Sequence, residues 1–463
     1  MQEETIERNN KHKTAEVNAD SPSVPKDGQA EMENHNPELP KNWLGNYVPM
    51  FIGQMFSLVG SAVVQFALIW HLTEQTGSAT VLAAASLVAL LPGVFLGPFA
   101  GALVDRWNRK ITMIVADLIV TLAILVLIAL FASGLIQVWH IYLAIFIRAV
   151  AGTFQQPAMS ASITLMVPRE HFTRLSGLNQ ALGGIINIIS PPLGALLIAV
   201  WPLHSVLAVD VVTAAIAILL LLVLVKVPQP HRTDEGGAVS VKQIWGDVSS
   251  AFHYVKTWPG MLKLGLMAGL INFTLAPTGS LLPLMVTKHF GGGAVQLSWL
   301  ESAMGIGIVV GGLILGVWGG FKKKMFTTLT GIILMAAGIT GIGLSPKGML
   351  SAAIVFSGLT GFAAAFANGP LGAIMHEKIP PEMQGRVFTM TGSFCMAAMP
   401  LGIMLAAPLA ERFGIPATYV MAGVLTFFLG LFGFLQKDVY TLDDQEPGGK
   451  RMVKAAEKEA ETH

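Results

Sequence analysis

The sequence predicts an all-α membrane protein, with twelve transmembrane helices in two six-helix bundles related by pseudo-two-fold symmetry. Three observations predict it. Of 463 residues, 53% are hydrophobic and only 12% charged, and the mean hydropathy is +0.62, which is more apolar content than a core in water needs. Apolar runs recur from Asn46 to Gln436, with the roughly 20-residue length that crosses a ~30 Å hydrocarbon core as a helix. The longest polar interruption among them, residues 227–262, divides the runs six and six. A membrane β-barrel would show alternating segments of ~10 residues instead, and none is present.

Gly, Pro and charge clusters set each span in turn. The first, 43–70, follows a polar N-terminal stretch and ends at HLTEQTGS. The second, 79–103, runs into the charged decapeptide GALVDRWNRK at 101–110, and the third, 110–132, stops at SGLIQ. The fourth, 139–163, is closed by VPREHFTR; the fifth, 175–200, ends at Trp201 and Pro202, and the sixth is 203–226. In the second bundle, 263–288 stops at HFGGG, 295–319 at GGFKKK, and 325–345 at SPKG. The tenth span is 348–374, the eleventh, 387–410, follows IPPEMQGR, and the twelfth, 415–436, follows ERFG.

Lys and Arg stay in cytoplasmic loops during insertion, so their distribution orients the chain. With the N-terminus inside, only Lys288, Lys347 and Arg412 of the 29 Lys and Arg face out, and Arg148 lies within a span. Both termini are therefore expected in the cytoplasm. Residues 1–40, polar and without an apolar h-region, read as a disordered cytosolic tail and not as a cleaved signal peptide; 438–463 reads as a second tail. Between the bundles 41–226 and 263–437, the linker 227–262 begins as VPQPHRTDEGGAVS. It then places Ile244, Val248, Ala251, Phe252 and Val255 at helical spacing, with Trp245, Lys256 and Trp258 as interface anchors. That pattern predicts an amphipathic helix on the inner membrane surface. A net charge of +1 predicts no nucleic-acid partner, and the single cysteine, Cys395, excludes a disulfide framework within the chain.

The halves echo each other. Pro168, Glu170 and Arg174 after the fourth span recur as Pro380, Glu382 and Arg386 after the tenth. GALVDRWNRK after the second span is matched by GLILGVWGGFKKK after the eighth, where Gly316 stands near the place of Asp105. Gly93, Gly97 and Gly101 in the second span, and the pairs Gly307/Gly311 and Gly312/Gly316 in the eighth, repeat every four residues. This spacing lets helix backbones approach, as static packing or as the face on which two bundles rock.

Ionisable residues inside a span cost at least ~2.5–3.5 kcal/mol on insertion scales, so each needs an account. Four qualify: Asp117, Arg148, Asp210 and Glu301. Arg148 lies near mid-bilayer and stays charged, so it can tune a neighbouring acid or bind an anion but cannot carry a proton. Asp117 reads equally as a structural contact or a proton carrier, Asp210 first as a pairing partner, and Glu301 equally as interfacial or functional. Gln54, Gln65, Gln155, Gln156, Asn187 and Asn272 are uncharged candidates for a substrate cavity. No HExxH, GxSxG or P-loop pattern and no paired metal-ligand spacing is present. The chain is therefore expected to be no enzyme, with no catalytic residues, no metal and no cofactor.

Twelve spans, a long central loop and G-A-L-V-D-R-W-N-R-K resemble the major facilitator superfamily, whose signature at that place is G-x-L-x-D-R-x-G-R-[KR]. Gly101, Leu103, Asp105, Arg106, Arg109 and Lys110 fit, and Asn108 replaces a glycine; asparagine tolerates the left-handed backbone a tight turn would need. The resemblance implies a conformational gate in which Asp105 meets the other half and the basic residues brace it. Positive charge at Arg106, Arg109 and Lys110 also pins the loop inside, which leaves Asp105 as the residue that topology does not explain.

Arg148, Ala151 and Gly152 resemble a fourth-span signature of proton-driven members, and SPPLGA at 190–195 resembles the G-P-x-x-G-G signature of exporters. LVDRWNRK followed by IVADL most resembles the macrolide-efflux-type branch of bacterial drug:proton antiporters. What the resemblance implies is a monomeric secondary exporter of small amphipathic or lipophilic compounds in the bacterial inner membrane. Its partners would be the substrate, protons and the lipid bilayer, and it would work by alternating access. Export of siderophores or other metabolites is the alternative, and a channel a more distant one.

Overall fold

The computed structural model describes residues 43–104, 106–168, 171–227 and 241–445. The expected N-terminal tail, Asp105, Glu170 and the first part of the linker lie outside the described residues, as do the side chains of Arg174 and Glu382. From Leu44 onward the chain forms one compact unit.

All regular structure among the described residues is helical. The first half comprises α1 (Trp43–Thr76), α2 (Ala79–Val104), α3 (Arg109–Ala132), α4 (Val138–Met166), α5 (Phe172–Val200) and α6 (Leu203–Leu224). After the connecting helix α7 (Val241–Lys256), the second half comprises α8 (Pro259–Leu284), α9 (Ala294–Trp318), α10 (Lys324–Leu344), α11 (Leu350–Lys378), α12 (Pro381–Phe413) and α13 (Ile415–Leu435). A π-helical turn, Met285–His289, extends α8. Twelve of these helical segments are long and apolar enough to cross a membrane. The start signals are local: proline in the first turn opens α8, α12 and α13, where its missing N–H leaves nothing unsatisfied. Gly319, in the left-handed region at φ 78°, ends α9.

The packing repeats with the sequence. In the first half α4 packs on α2 and α3, and α3 on α6; in the second α11 packs on α9 and α10, and α10 on α13. The halves meet through α2 with α12 and α5 with α9, two pairs that exchange under the same symmetry, and through α2 with α8. At the end opposite the chain termini, Ala83, Ala276, Ile403 and Ala407 close together, and Thr80 Oγ1 donates to Glu411 at 3.1 Å. Toward the terminal end Gln156, Ser160 and Thr164 on α4, Asn179 on α5, Asn368 on α11 and Thr389 and Ser393 on α12 are exposed. Polar side chains in such numbers suit a water-filled cleft and not a lipid-facing wall.

One open alternative is decided and two expectations are corrected. Gly307 and Gly311 do not line the contact between halves: a Cβ on either would strike the backbone of α11, at Phe362 N (2.8 Å) and Phe362 O (2.6 Å) respectively, so they serve packing within the second half. Trp258 is no interface anchor, because it is 2% exposed and caps the start of α8; along α7, Ala251 and Val255 are buried while Phe252 is exposed. The first part of the expected C-terminal tail is folded, with short helices at Lys437–Tyr440 and Leu442–Asp444. It is tied to the bundle by Lys263 Nζ to Asp438 (2.6 Å) and by the Met325 N–H to Asp443 (3.1 Å).

Candidate functional site

The intramembrane polar residues of the first half gather along α1, where Gln54, Ser57, Ser61 and Gln65 follow one another at about one-turn spacing. The lower pair meets Asp117 of α3. Gln155 Nε2, from α4, donates to Asp117 Oδ1 at 2.8 Å and lies 3.1 Å from Gln54 Oε1; Ser57 Oγ donates to the same carboxylate oxygen at 3.4 Å and Gln54 Nε2 to the other at 3.5 Å. Two helices thus supply neutral donors to a buried acid on a third, and no cation among the described residues pairs with it.

One turn further along, Arg148 of α4 and Asp210 of α6 form an ion pair, Nη1 to Oδ2 at 2.5 Å, with side-chain exposures of 11% and 2%. Ser61 completes it: its hydroxyl donates to Asp210 Oδ1 at 2.9 Å and its carbonyl accepts from Arg148 Nη2 at 2.8 Å. The buried charge pair is therefore satisfied on both sides, the condition under which such a pair persists in low dielectric. Ser57 and Ser61 were not singled out from sequence, although their register with Gln54 and Gln65 was the signal that could have found them.

Between the halves lies a cavity of about 460 Å³ lined by Gln65 and Phe66 of α1, Asn187 and Pro191 of α5, and Glu301 and Met304 of α9. A second, of about 430 Å³, shares Gln65, Ile69 and Glu301 and extends to Asn272 of α8 and Met399 of α12. Asn272 and Met304 also line a third, of about 330 Å³, inside the second half. Glu301 has no hydrogen-bond or ion-pair partner among the described residues. Of the six uncharged candidates, Gln65, Asn187 and Asn272 line this space, Gln54 and Gln155 belong to the Asp117 network, and Gln156 is exposed near the terminal cleft. Among the described residues no cluster of His, Cys, Asp and Glu could hold a metal ion.

In the signature loop, Asp105 lies outside the described residues. Asn108 does not use the left-handed backbone that asparagine tolerates. At φ −69° and ψ 107° it is extended and caps α3, its side chain accepting the Ile111 N–H at 3.1 Å. The two cations that follow sit at a helix start, where the macrodipole disfavours them, but their charged ends lie elsewhere. Arg109 Nη1 reaches Ala161 O in the final part of α4 at 2.8 Å, and Lys110 Nζ reaches Leu222 O (3.3 Å) and Val225 O (2.8 Å) at the end of α6. Each cation serves the negative end of a neighbouring helix. Gly101 is not a close-approach point, since a Cβ there would meet nothing within 4 Å.

Two repeated halves of six apolar helices with a polar-lined cavity between them have the architecture of a multi-pass membrane transporter. The sequence profile of the Major Facilitator Superfamily matches residues 50–291 and 264–460. The chain belongs to this superfamily. It is 34% identical over 414 residues to macrolide efflux protein A of Streptococcus pyogenes, covering 89% of this chain and 100% of that protein. To macrolide efflux protein A of Enterococcus faecalis it is 35% identical, covering 71% of this chain and 100% of the relative. Among solved structures, the nucleoside transporter NupG superposes with a TM-score of 0.61 at 15% identity, covering 84% of this chain and 98% of the other.

Proposed function

We propose that the protein exports amphipathic or lipophilic compounds of the macrolide type across the bacterial inner membrane, in exchange for protons and by alternating access. The observation that carries the reading is the cavity between the halves, where Glu301, without a partner among the described residues, shares a largely apolar lining with Gln65 and Asn272. Efflux of macrolides, named for the relatives, supports the substrate class. The charge distribution of the loops supports a cytosolic terminal end, so the exposed polar cleft opens to the cytoplasm and the contact around Thr80 and Glu411 closes the outside. On this reading the signature loop is part of the cytosolic gate, and the monomer is the working unit. Asp117 and Glu301 are the acids open to proton exchange, because Asp210 is already neutralised by Arg148.

Inverted vesicles containing the protein should accumulate a labelled macrolide when respiration drives protons inward, and a protonophore should collapse the uptake. Uptake that persists under the protonophore would remove proton coupling from the proposal, and no uptake of any macrolide would remove the substrate class.

A further inference from the structure

We infer that the second copy of the signature loop is not a gate element but the anchorage of the chain's own C-terminus, and that the strap 436–445 supplies from a distance the helix cap and carboxylates that this copy lacks. The inference goes beyond the export reading and does not depend on the substrate. The two loops hold equivalent places: Trp107 stacks on Phe154 of α4 with ring centroids 5.7 Å apart, and Trp318 meets Phe366 of α11 at 6.1 Å. Each loop enters its next helix through an N-cap residue in extended backbone, Asn108 for α3 and Lys323, at φ −93° and ψ 112°, for α10. Asn108 caps its own helix, whereas a lysine side chain has no oxygen to offer. Asp443 does it instead. Its carboxylate accepts the Met325 N–H, the second of α10, at 3.1 Å on one oxygen and 3.3 Å on the other, and its charge lies at the positive end of the helix.

With Gly316 near the place of Asp105, this copy has no acid to offer the first half, and two of its cations are engaged inside the second. Lys323 Nζ lies 3.4 Å from Asp444 and 4.9 Å from the centre of the Tyr440 ring, and Lys324 pairs with Glu377 near the end of α11. On α8, Lys263 pairs with Asp438 at 2.6 Å. Ion pairs as open to water as these contribute little each, so they orient the strap and burial holds it. Val439 and Leu442 are fully buried, and Tyr440 packs on Phe434 of α13 with centroids 6.1 Å apart. Gly260 at the start of α8 leaves the room, since a Cβ there would come within 2.7 Å of Leu442 Cδ1 and 2.9 Å of Gln445 Oε1. One clasp thus joins the ends of α8, α10 and α13.

The test uses the full chain purified in detergent and reads hydrogen–deuterium exchange in the first two turns of α10. Asp443→Ala should raise exchange there about fivefold, the loss of one helix cap, and leave α3 unchanged. Lys323→Asn, which gives α10 a cap of its own as Asn108 does for α3, should cancel that rise in the double variant. Truncation after Gln436 should raise exchange at the starts of both α8 and α10, and truncation after Gln445 at neither. No rise in Asp443→Ala, or a rise that Lys323→Asn fails to cancel, overturns the inference. Paired spin labels on α4 and α11 check that the loop is no gate: Lys323→Gln combined with Lys324→Gln should leave the distances between the halves at the terminal end as they are in the wild type. A shift in those distances would make the loop a gate element and overturn the inference, with export untouched.

Discussion

α3 and α10 hold equivalent places in the two halves, yet 22% of the most apolar window of α3 is buried inside the protein against 67% of that of α10. The sequences explain the gap. α10 carries Gly331, Gly338, Gly341 and Gly343, each close against α11 or α13, whereas α3 has no glycine and presents Asp117 instead. Close backbone approach through small residues is one way to hold helices together where lipid removes the hydrophobic drive, and interhelical hydrogen bonds are another. α10 relies on the first means and α3 on the second. One topology therefore contains, at equivalent places, a helix stitched in by a polar network and a helix whose backbone contacts leave little room for rearrangement.

The largest expected effect breaks the stitching. Arg148→Ala should leave Asp210 buried and unpaired, at a cost of about 3–5 kcal/mol. Thermal unfolding in detergent would register it as a sharp loss of stability, and Arg148→Met with Asp210→Leu should recover much of it; a single variant as stable as wild type would mean that the pair does not hold this half together. The next effect strikes a tight backbone contact of the second half. A Cβ on Gly361 would meet Met304 O and, at 3.1 Å, Ile308 N, backbone that cannot step aside. Gly361→Val should thus cost at least about 1–3 kcal/mol. Gly97→Ala, in the first half, meets nothing within 4 Å and should stay within about 0.5 kcal/mol of wild type; equal losses at the two sites would erase the contrast in packing. The smallest effect concerns Lys110→Met, which removes the cation from the end of α6 and should cost about 0.3–1 kcal/mol. Raising the salt concentration should narrow the difference between this variant and the wild type, and a difference indifferent to salt would point away from charge.

The fold was legible because spans are written in length and apolarity, and boundaries such as Ala294–Trp318 follow from glycine and charge at the ends. The polar residues that matter were legible one at a time, since any such residue in a span is conspicuous. Their partners were not. That Gln54, Asp117 and Gln155 share one network depends on the rotation of α1, α3 and α4 about their axes, which periodicity on a nearly all-apolar helix leaves undetermined. The role of Asn108 was open for a related reason: asparagine serves both left-handed turns and helix caps, and only the backbone decides between them. The glycine pairs marked close approach correctly at Gly307 and Gly311, but which neighbour approaches is a tertiary fact.

The Arg148–Asp210 pair has a consequence for a protein that sits in an electric field. The two charges cancel within 2.5 Å, so the transmembrane voltage exerts almost no net pull on them, whichever way the half containing them tilts. Glu301 has no such shield. A single charge carried across the full membrane exchanges roughly 2.3 kcal/mol per 100 mV with the field, so whatever neutralises this carboxylate during transit decides how strongly the cell's membrane potential acts on each step of the cycle.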